Sequence, residues 1–234
     1  MIQTYGSRYP NGGKTYGGFA SSWRGPSAWV FAIPEGLSPA EAAPMLCGGV
    51  TVYAPLKRFG AGPGKNVGIV GAGGIGHFGI LFAKALGADK VVALSRSNTK
   101  KEEILKLGAT DYVATDEEAE WATKHAGSLD IIISTVSSPD IPLDSLLSLL
   151  RTNGAFVQIG SPSLPPLNMF QMIFKGLTVS GSLIGSPAQI REMLELAVAK
   201  NVHPLIQERS MKDANKVVED FDKGLARFRY VLVN

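Results

Sequence analysis

The sequence predicts an α/β protein built on a doubly wound, six-stranded parallel sheet, and two observations carry that expectation. From residue 65 onward short β-branched runs alternate with longer helical patterns, the texture of successive βαβ units. The first of these runs passes into a glycine cluster, Gly71-Ala72-Gly73-Gly74-Ile75-Gly76, which itself opens a helical pattern.

The strand candidates, in order, are 67–70, 91–94, 112–114, 130–135, 156–159 and 178–183. Helical patterns lie between them at 75–86, 100–107, 117–125, 143–150 and 169–175. Ser97 or Asn98 can cap the second helix, with Glu102 and Glu103 near its positive end. Gly87 and Gly108 sit where helices should stop. Right-handed crossovers then predict the strand order 3-2-1-4-5-6. The flanks differ from this centre. Residues 1–46 are rich in Gly, Pro, Ser and aromatic residues, whereas 186–234 hold helical patterns at 189–199 and 213–224 and a last strand at 230–233. Neither flank reads as a complete domain, so the two are expected to be ends of one second lobe. Met45, Met169, Met172 and Phe170 read as core filling, or as walls of a substrate cleft.

Composition narrows the function classes. With 45% hydrophobic and 18% charged residues the chain reads as soluble and globular rather than disordered or fibrous. Its net charge of +3 is scattered, which argues against a nucleic-acid partner. The short group Arg96, Lys100 and Lys101 suits a small anionic ligand better. A single cysteine, Cys47, excludes an intramolecular disulfide or a four-cysteine zinc site and fits a reducing compartment. Residues 1–10 have no apolar core, so no signal peptide is expected. The apolar stretch 67–88 carries His77 and Lys84 and is broken by glycines, so a strand–turn–helix unit explains it better than a membrane span. The expected location is the cytoplasm.

The glycine cluster contains G-x-G-x-x-G between a strand and a helix, the setting of a dinucleotide-binding Rossmann turn. Gly71 permits the tight turn, Gly73 lets the backbone approach a pyrophosphate, and Gly76 lets helix and strand pack closely. The helix N-terminus adds free N–H groups and a partial positive charge. The end of the second strand selects the dinucleotide. An acidic residue would hold the ribose hydroxyls of NAD; here the strand ends in Ser95-Arg96-Ser97, with Lys100 one turn on and no carboxylate. Two hydroxyls, a guanidinium and an ammonium suit a 2′-phosphate, so NADP(H) is the expected cofactor.

Beyond the glycine motif, the run Ala43-Pro44-Met45-Leu46-Cys47-Gly48-Gly49-Val50-Thr51-Val52-Tyr53 resembles the cinnamyl alcohol dehydrogenase branch of the zinc-type medium-chain alcohol dehydrogenases, the NADP-dependent fungal members above all. Further matches are Leu107-Gly108-Ala109-Thr110-Asp111-Tyr112, Gly181-Ser182-Leu183-Ile184-Gly185 and Arg227-Phe228-Arg229-Tyr230. The resemblance implies a Rossmann domain at 47–185, a remnant of a GroES-like catalytic domain at 1–46 and a return to that domain at 186–234. It implies that Cys47 is a ligand of catalytic zinc and that Thr51 contacts the cofactor near the nicotinamide. By the same resemblance Gly71, Gly73, Gly74, Ile75 and Gly76 form the pyrophosphate loop, and Ser95, Arg96, Ser97 and Lys100 the 2′-phosphate site. Thr135, Val136, Gly160, Ser182, Leu183 and Ile184 would line the adenosine and nicotinamide ends. The implied activity interconverts aldehydes, aromatic or medium-chain, and primary alcohols, in a homodimer whose sixth strands pair across a two-fold axis.

The sequence also departs from that family pattern. The Cys, the Gly-His-Glu and the four-cysteine site that precede this region in the family are absent. A catalytic zinc needs about three protein ligands, and Cys47 alone comes from the expected set. His77, His125 and His203 read as structural or solvated, and an unpartnered Cys47 reads as a small buried hydrophobe. Three readings therefore stand: a dehydrogenase or aldehyde reductase, truncated and impaired as this chain; a zinc-free NADP(H)-binding protein that senses or scaffolds; and a weak zinc-independent quinone or enone reductase. An uncovered apolar face should promote association.

Overall fold

The computed structural model of the protein describes residues 6–161 and 165–234. Residues 1–5, part of the stretch 1–10 assessed for a signal peptide, lie outside the described residues.

After a short 3-10 turn, Ser27–Trp29, the first α-helix is capped by Ser38. Its hydroxyl accepts the Glu41 N–H at 3.2 Å, and the Glu41 carboxylate accepts the Ser38 N–H at 3.1 Å. This reciprocal cap starts α1 (Pro39–Pro44), with Pro39 in the first turn where its missing N–H costs nothing. The helical path then widens into a π-helical turn, Met45–Gly49, and continues as α2 (Val50–Arg58). The sequence reading assigns no helix over 39–58, a stretch that holds the helix-breaking Pro44 and Pro55 and paired glycines. The signature Ser38-Pro39-Ala40-Glu41 was the available signal.

The alternating units follow: β1 (Asn66–Val70), α3 (Gly76–Ala85), β2 (Lys90–Ser95), α4 (Lys101–Leu107), β3 (Asp111–Ala114), α5 (Trp121–Lys124), β4 (Leu129–Ser134), α6 (Leu143–Ser148), β5 (Leu150–Gln158), α7 (Met169–Lys175) and β6 (Thr178–Gly181). The strands form one parallel sheet in the expected order, β3-β2-β1-β4-β5-β6. Alternate residues of a strand point to opposite faces, so β4 feeds two apolar layers. Ile131 and Ile133 pack with Phe78, Phe82 and Ile104 on one side and Ile132 with Leu143, Leu146 and Trp121 on the other, where Leu129 joins it across the register shift that precedes Ile131.

The C-terminal part adds α8 (Pro187–Ala199), β7 (Ile206–Ser210), α9 (Ala214–Asp222) and β8 (Arg229–Val233). β7 pairs with β8 in a separate parallel ribbon, against which α1 packs. β7 was not expected, because Gln207-Glu208-Arg209 hides any apolar alternation. α8 packs on α2, where the Lys57 ammonium meets the Glu192 carboxylate at 2.7 Å. The His203 ring nitrogen Nδ1 lies 2.7 Å from Glu41 Oε1. The Ser38 hydroxyl, and after it His203, hold the Glu41 carboxyl below the usual carboxylate range. Among the described residues no helix is long and apolar enough to cross a membrane.

Several local expectations are corrected. Neither Ser97 nor Asn98 caps α4 through its side chain; the Asn98 amide instead donates to Glu117 at 2.6 Å. The helix expected at 117–125 shrinks to α5 because Glu117 and Glu118 are engaged in loop contacts, Glu118 accepting the Ala114 N–H at 2.8 Å. Met45 is core, as expected, but Met169 and Phe170 are exposed, since α7 covers β5 with only one face. Cys47 is exposed rather than a buried hydrophobe, because the π-helical turn directs Met45, Gly48 and Gly49 inward.

Candidate dinucleotide site

The winding of the sheet reverses between β1 and β4, so the crossover helices diverge to opposite faces and leave a crevice at the strands' carboxyl ends. A cleft of about 1030 Å³ opens there. Gly71, Gly73, Gly74 and Ile75 line it after β1, Ser95, Arg96 and Lys100 after β2, Thr115 and Asp116 after β3, and Thr135 and Val136 after β4.

The glycine turn is fixed by a few contacts. Gly71 has a φ of +92°, a conformation that suits glycine, and donates its N–H to the Leu94 carbonyl at 2.8 Å. The Thr135 hydroxyl lies 3.0 Å from both the Val70 and Gly71 carbonyls. A Cβ on Gly76 would stand 1.8 Å from the Gly71 oxygen, so helix and turn approach as closely as backbone allows. A Cβ on Gly73 would meet nothing within 4 Å. Gly76 thus packs beneath the turn, while Gly73 faces open space of the kind a pyrophosphate fills.

His77 completes the turn from below. It is fully buried, and its Nδ1–H donates to the Gly74 carbonyl at 3.0 Å. Burial pushes its imidazole down to about 4, so the ring is neutral, and its Nε2 has no hydrogen-bond partner. From the C-terminal strand, the Phe228 ring stacks on His77, and Arg229 crosses the turn. A Cβ on Gly74 would lie 3.1 Å from both Cδ and Nη1 of Arg229.

Beyond β2 the surface is cationic. Arg96 is exposed, and the half-buried Lys100 places its ammonium 5.5 Å from the Phe228 ring centre. Burial, then the neighbouring charges of Arg227 and Arg96, push the Lys100 pKa down, with Glu103 opposing them. An anion held here would relieve that repulsion.

The remaining expected residues fall elsewhere. Ser97 does not line the cleft; its hydroxyl bonds that of Thr99 at 2.9 Å. Gly160 packs behind Val136, where a Cβ would lie 2.1 Å from the Val136 oxygen. The Ser182 N–H donates to the Gln158 carbonyl at 3.1 Å, and Leu183 and Ile184 are exposed. Thr51 is buried in α2 and, like Cys47, lies outside the cleft. Among the described residues no group of three or more His, Cys, Asp and Glu side chains gathers. Cys47 therefore belongs to no three-ligand cluster among the described residues, and the residues present do not fit a complete catalytic zinc site.

Sequence reasoning missed the C-terminal contribution to the cleft, from Phe221, Gly224, Phe228 and Arg229. The basic–aromatic alternation Arg227-Phe228-Arg229-Tyr230 was the one signal that could have placed a cation over the glycine turn.

Comparison with known proteins gives a consistent assignment. The model of the zinc-binding dehydrogenase family matches residues 74–199. The chain is 40% identical over 233 residues to a probable formaldehyde dehydrogenase of Bacillus subtilis, covering 99% of this chain and 66% of that protein. It is 37% identical over 242 residues to an NADP-dependent alcohol dehydrogenase of Saccharomyces cerevisiae, covering 100% of this chain and 66% of that one. A solved cinnamyl alcohol dehydrogenase from Sorghum bicolor superposes with a TM-score of 0.77 at 37% identity, over 86% of this chain and 57% of that structure. The chain thus spans just under two thirds of the length of these two curated relatives. By the family match, the shared parallel-sheet architecture and the glycine turn at its switch point, the chain belongs to the zinc-binding dehydrogenase family.

Proposed function

We propose that the protein is an NADP(H)-dependent oxidoreductase that interconverts aldehydes, aromatic or medium-chain, and primary alcohols by hydride transfer, an activity impaired in this chain, which spans part of its relatives' length and whose described residues do not complete a catalytic zinc site. The observation that carries the cofactor choice is the end of β2. Ser95, Arg96 and Lys100 line the cleft where an NAD enzyme needs a carboxylate, and burial followed by the charges of Arg227 and Arg96 disfavours the charged Lys100, a cost that a bound phosphate would offset. The name of the yeast relative, an NADP-dependent alcohol dehydrogenase, supports the same reading.

When bound, the dinucleotide supplies or accepts the hydride. The backbone N–H groups from Gly73 to Gly76 and the Arg229 guanidinium hold the pyrophosphate, and Arg96, Lys100 and Ser95 the 2′-phosphate. Thr135, Val136 and Gly160 shape the adenosine side. By the family resemblance Thr51 and the segment Ser182–Leu183–Ile184 would contact the nicotinamide end and Cys47 the substrate, beyond the cleft that the dinucleotide loop lines. Residues 47–185 form the cofactor domain, and 1–46 with 186–234 belong to the lobe that packs on it. A cytoplasmic homodimer is part of the same proposal.

The test follows NADPH fluorescence and its oxidation with cinnamaldehyde in one cuvette. Enhanced NADPH emission that NADH does not reproduce, together with slow aldehyde-dependent oxidation, is the expected result. Tight NADPH binding with no turnover of any aldehyde would overturn the assigned activity while keeping the cofactor. Absence of NADPH binding would overturn both.

A further inference from the structure

The loop that carries Arg96 and Lys100 is held from one side by β3 and the residues after it. The Thr115 N–H donates to the Ser95 carbonyl at 2.8 Å and the Asp116 N–H to the Arg96 carbonyl at 3.0 Å. The next peptide unit, between Ser97 and Asn98, is held at both of its polar ends. Its carbonyl accepts the Tyr112 hydroxyl at 2.6 Å. Its N–H donates to the Glu117 carboxylate at 3.3 Å, while the Asn98 side chain donates to the other carboxylate oxygen at 2.6 Å. The Tyr112 ring is buried in the apolar layer with Ile104 and Ala83, so its hydroxyl is a rigid post rather than a mobile surface contact. At Ser97 the backbone is still extended, and at Asn98 it turns into the short 3-10 turn Asn98–Lys100. The orientation of that one peptide therefore sets the direction in which Lys100 returns toward Arg96.

We propose that Tyr112 and Glu117 are positioning residues for cofactor specificity: by clamping the Ser97–Asn98 peptide from both sides they pre-organise Arg96 and Lys100 around a phosphorylated ribose. Neither residue lines the cleft, so their effect passes through the loop. Ordering a free loop on binding costs conformational entropy, and a loop fixed beforehand spares that cost only for the ligand group it contacts. The clamp consequently acts on the 2′-phosphate and not on the adenosine shared by both dinucleotides. The inference rests on the NADP(H) reading above.

The experiment is calorimetric binding of 2′,5′-ADP and of 5′-AMP to the whole chain and to its Tyr112→Phe and Glu117→Ala variants, with melting temperatures alongside. Tyr112→Phe keeps the buried ring, and Glu117 is exposed, so at least one variant folds. The chain should prefer 2′,5′-ADP, and each variant should weaken 2′,5′-ADP about fivefold while leaving 5′-AMP within about twofold. A preference that survives in both folded variants, with only the melting temperature lowered, would overturn the clamp alone. Equal weakening of both nucleotides would do the same, because it marks a general structural role. A parent chain that binds the two nucleotides equally would overturn the NADP(H) reading and the clamp with it.

Discussion

The Phe228 ring stacks on the His77 imidazole with centroids 5.4 Å apart and planes inclined by 17°. This contact joins β8 to the helix that opens the dinucleotide turn, and it fixes two cations at once. Lys100 rests against the same phenyl ring, and Arg229 is the next residue along the strand. Removing the ring should therefore lower stability and cofactor affinity together. Phe228→Ala is expected to cost about 3 kcal/mol in chemical denaturation and to weaken NADPH, read by its fluorescence. A variant destabilised to that extent yet binding NADPH as the parent does would separate the two effects.

His77 makes the fold acid-sensitive. Its folded-state pKa of about 4 lies below the ordinary histidine value of 6.5, because burial disfavours the charged ring. The unfolded chain therefore binds the proton first, and stability is lost as pH falls from about 6.5 toward 4. Near pH 5 the loss from this group is about 2 kcal/mol. His77→Asn can still donate to the Gly74 carbonyl but does not titrate. Urea midpoints at about pH 7.5 and pH 5 should show a smaller drop for the variant than for the parent. Equal drops would assign the acid sensitivity to other groups.

Gly73 and Gly76 should fail differently. At Gly76 a methyl group would collide with the Gly71 carbonyl, so Gly76→Ala must displace backbone, at a cost of about 2 kcal/mol or more, and loses NADPH binding as well. At Gly73 a methyl group meets open space. Gly73→Ala should leave the melting temperature nearly unchanged and still weaken NADPH about tenfold, by occupying the room a pyrophosphate needs. Comparable destabilisation of the two variants would contradict this division.

The same two glycines show what was legible in the sequence. Strand–glycine–helix spacing is a local pattern, and it located the turn and the cationic end of β2, because each is decided by residues close in sequence; the strand order came from the alternation of strands and helices joined by right-handed crossovers. The helical run through Pro44 and Pro55 was hidden, since local breakers were overridden by burial of Val50, Tyr53 and Leu56. Arg229 and Phe228 were hidden for the opposite reason. The basic–aromatic alternation at 227–230 offers a cation and a ring but does not name the turn, more than 150 residues earlier, that they close over. Glu117 reads as a helical residue until its hydrogen bond to Asn98 is seen.

The cations should discriminate between cofactors. Lys100→Ala removes a charge that burial, and after it the neighbouring Arg227 and Arg96, already disfavour, so it should not harm folding. It should weaken NADPH about tenfold and leave NADH nearly unchanged. Arg96→Ala should behave likewise, and the pair should flatten the salt dependence of NADPH binding. Parallel losses for NADPH and NADH would place both residues away from the 2′-phosphate.

Association should follow from α7 and the edge of the sheet. β6 is the last strand, with no partner on its outer side among the described residues. Beside it α7 presents Phe170 and Phe174, which are 76% and 77% exposed and stack on one another at 5.9 Å, along with Ile173. A free strand edge next to an apolar helix face is a template for a second chain. Light scattering after size-exclusion chromatography should give twice the chain mass of 24.8 kDa. Phe170→Glu with Phe174→Glu should shift the protein to the monomer without loss of fold, because neither ring belongs to the core. A parent chain that elutes as a monodisperse monomer would remove the homodimer from the proposed function, and dimers that survive the double substitution would move the interface away from α7.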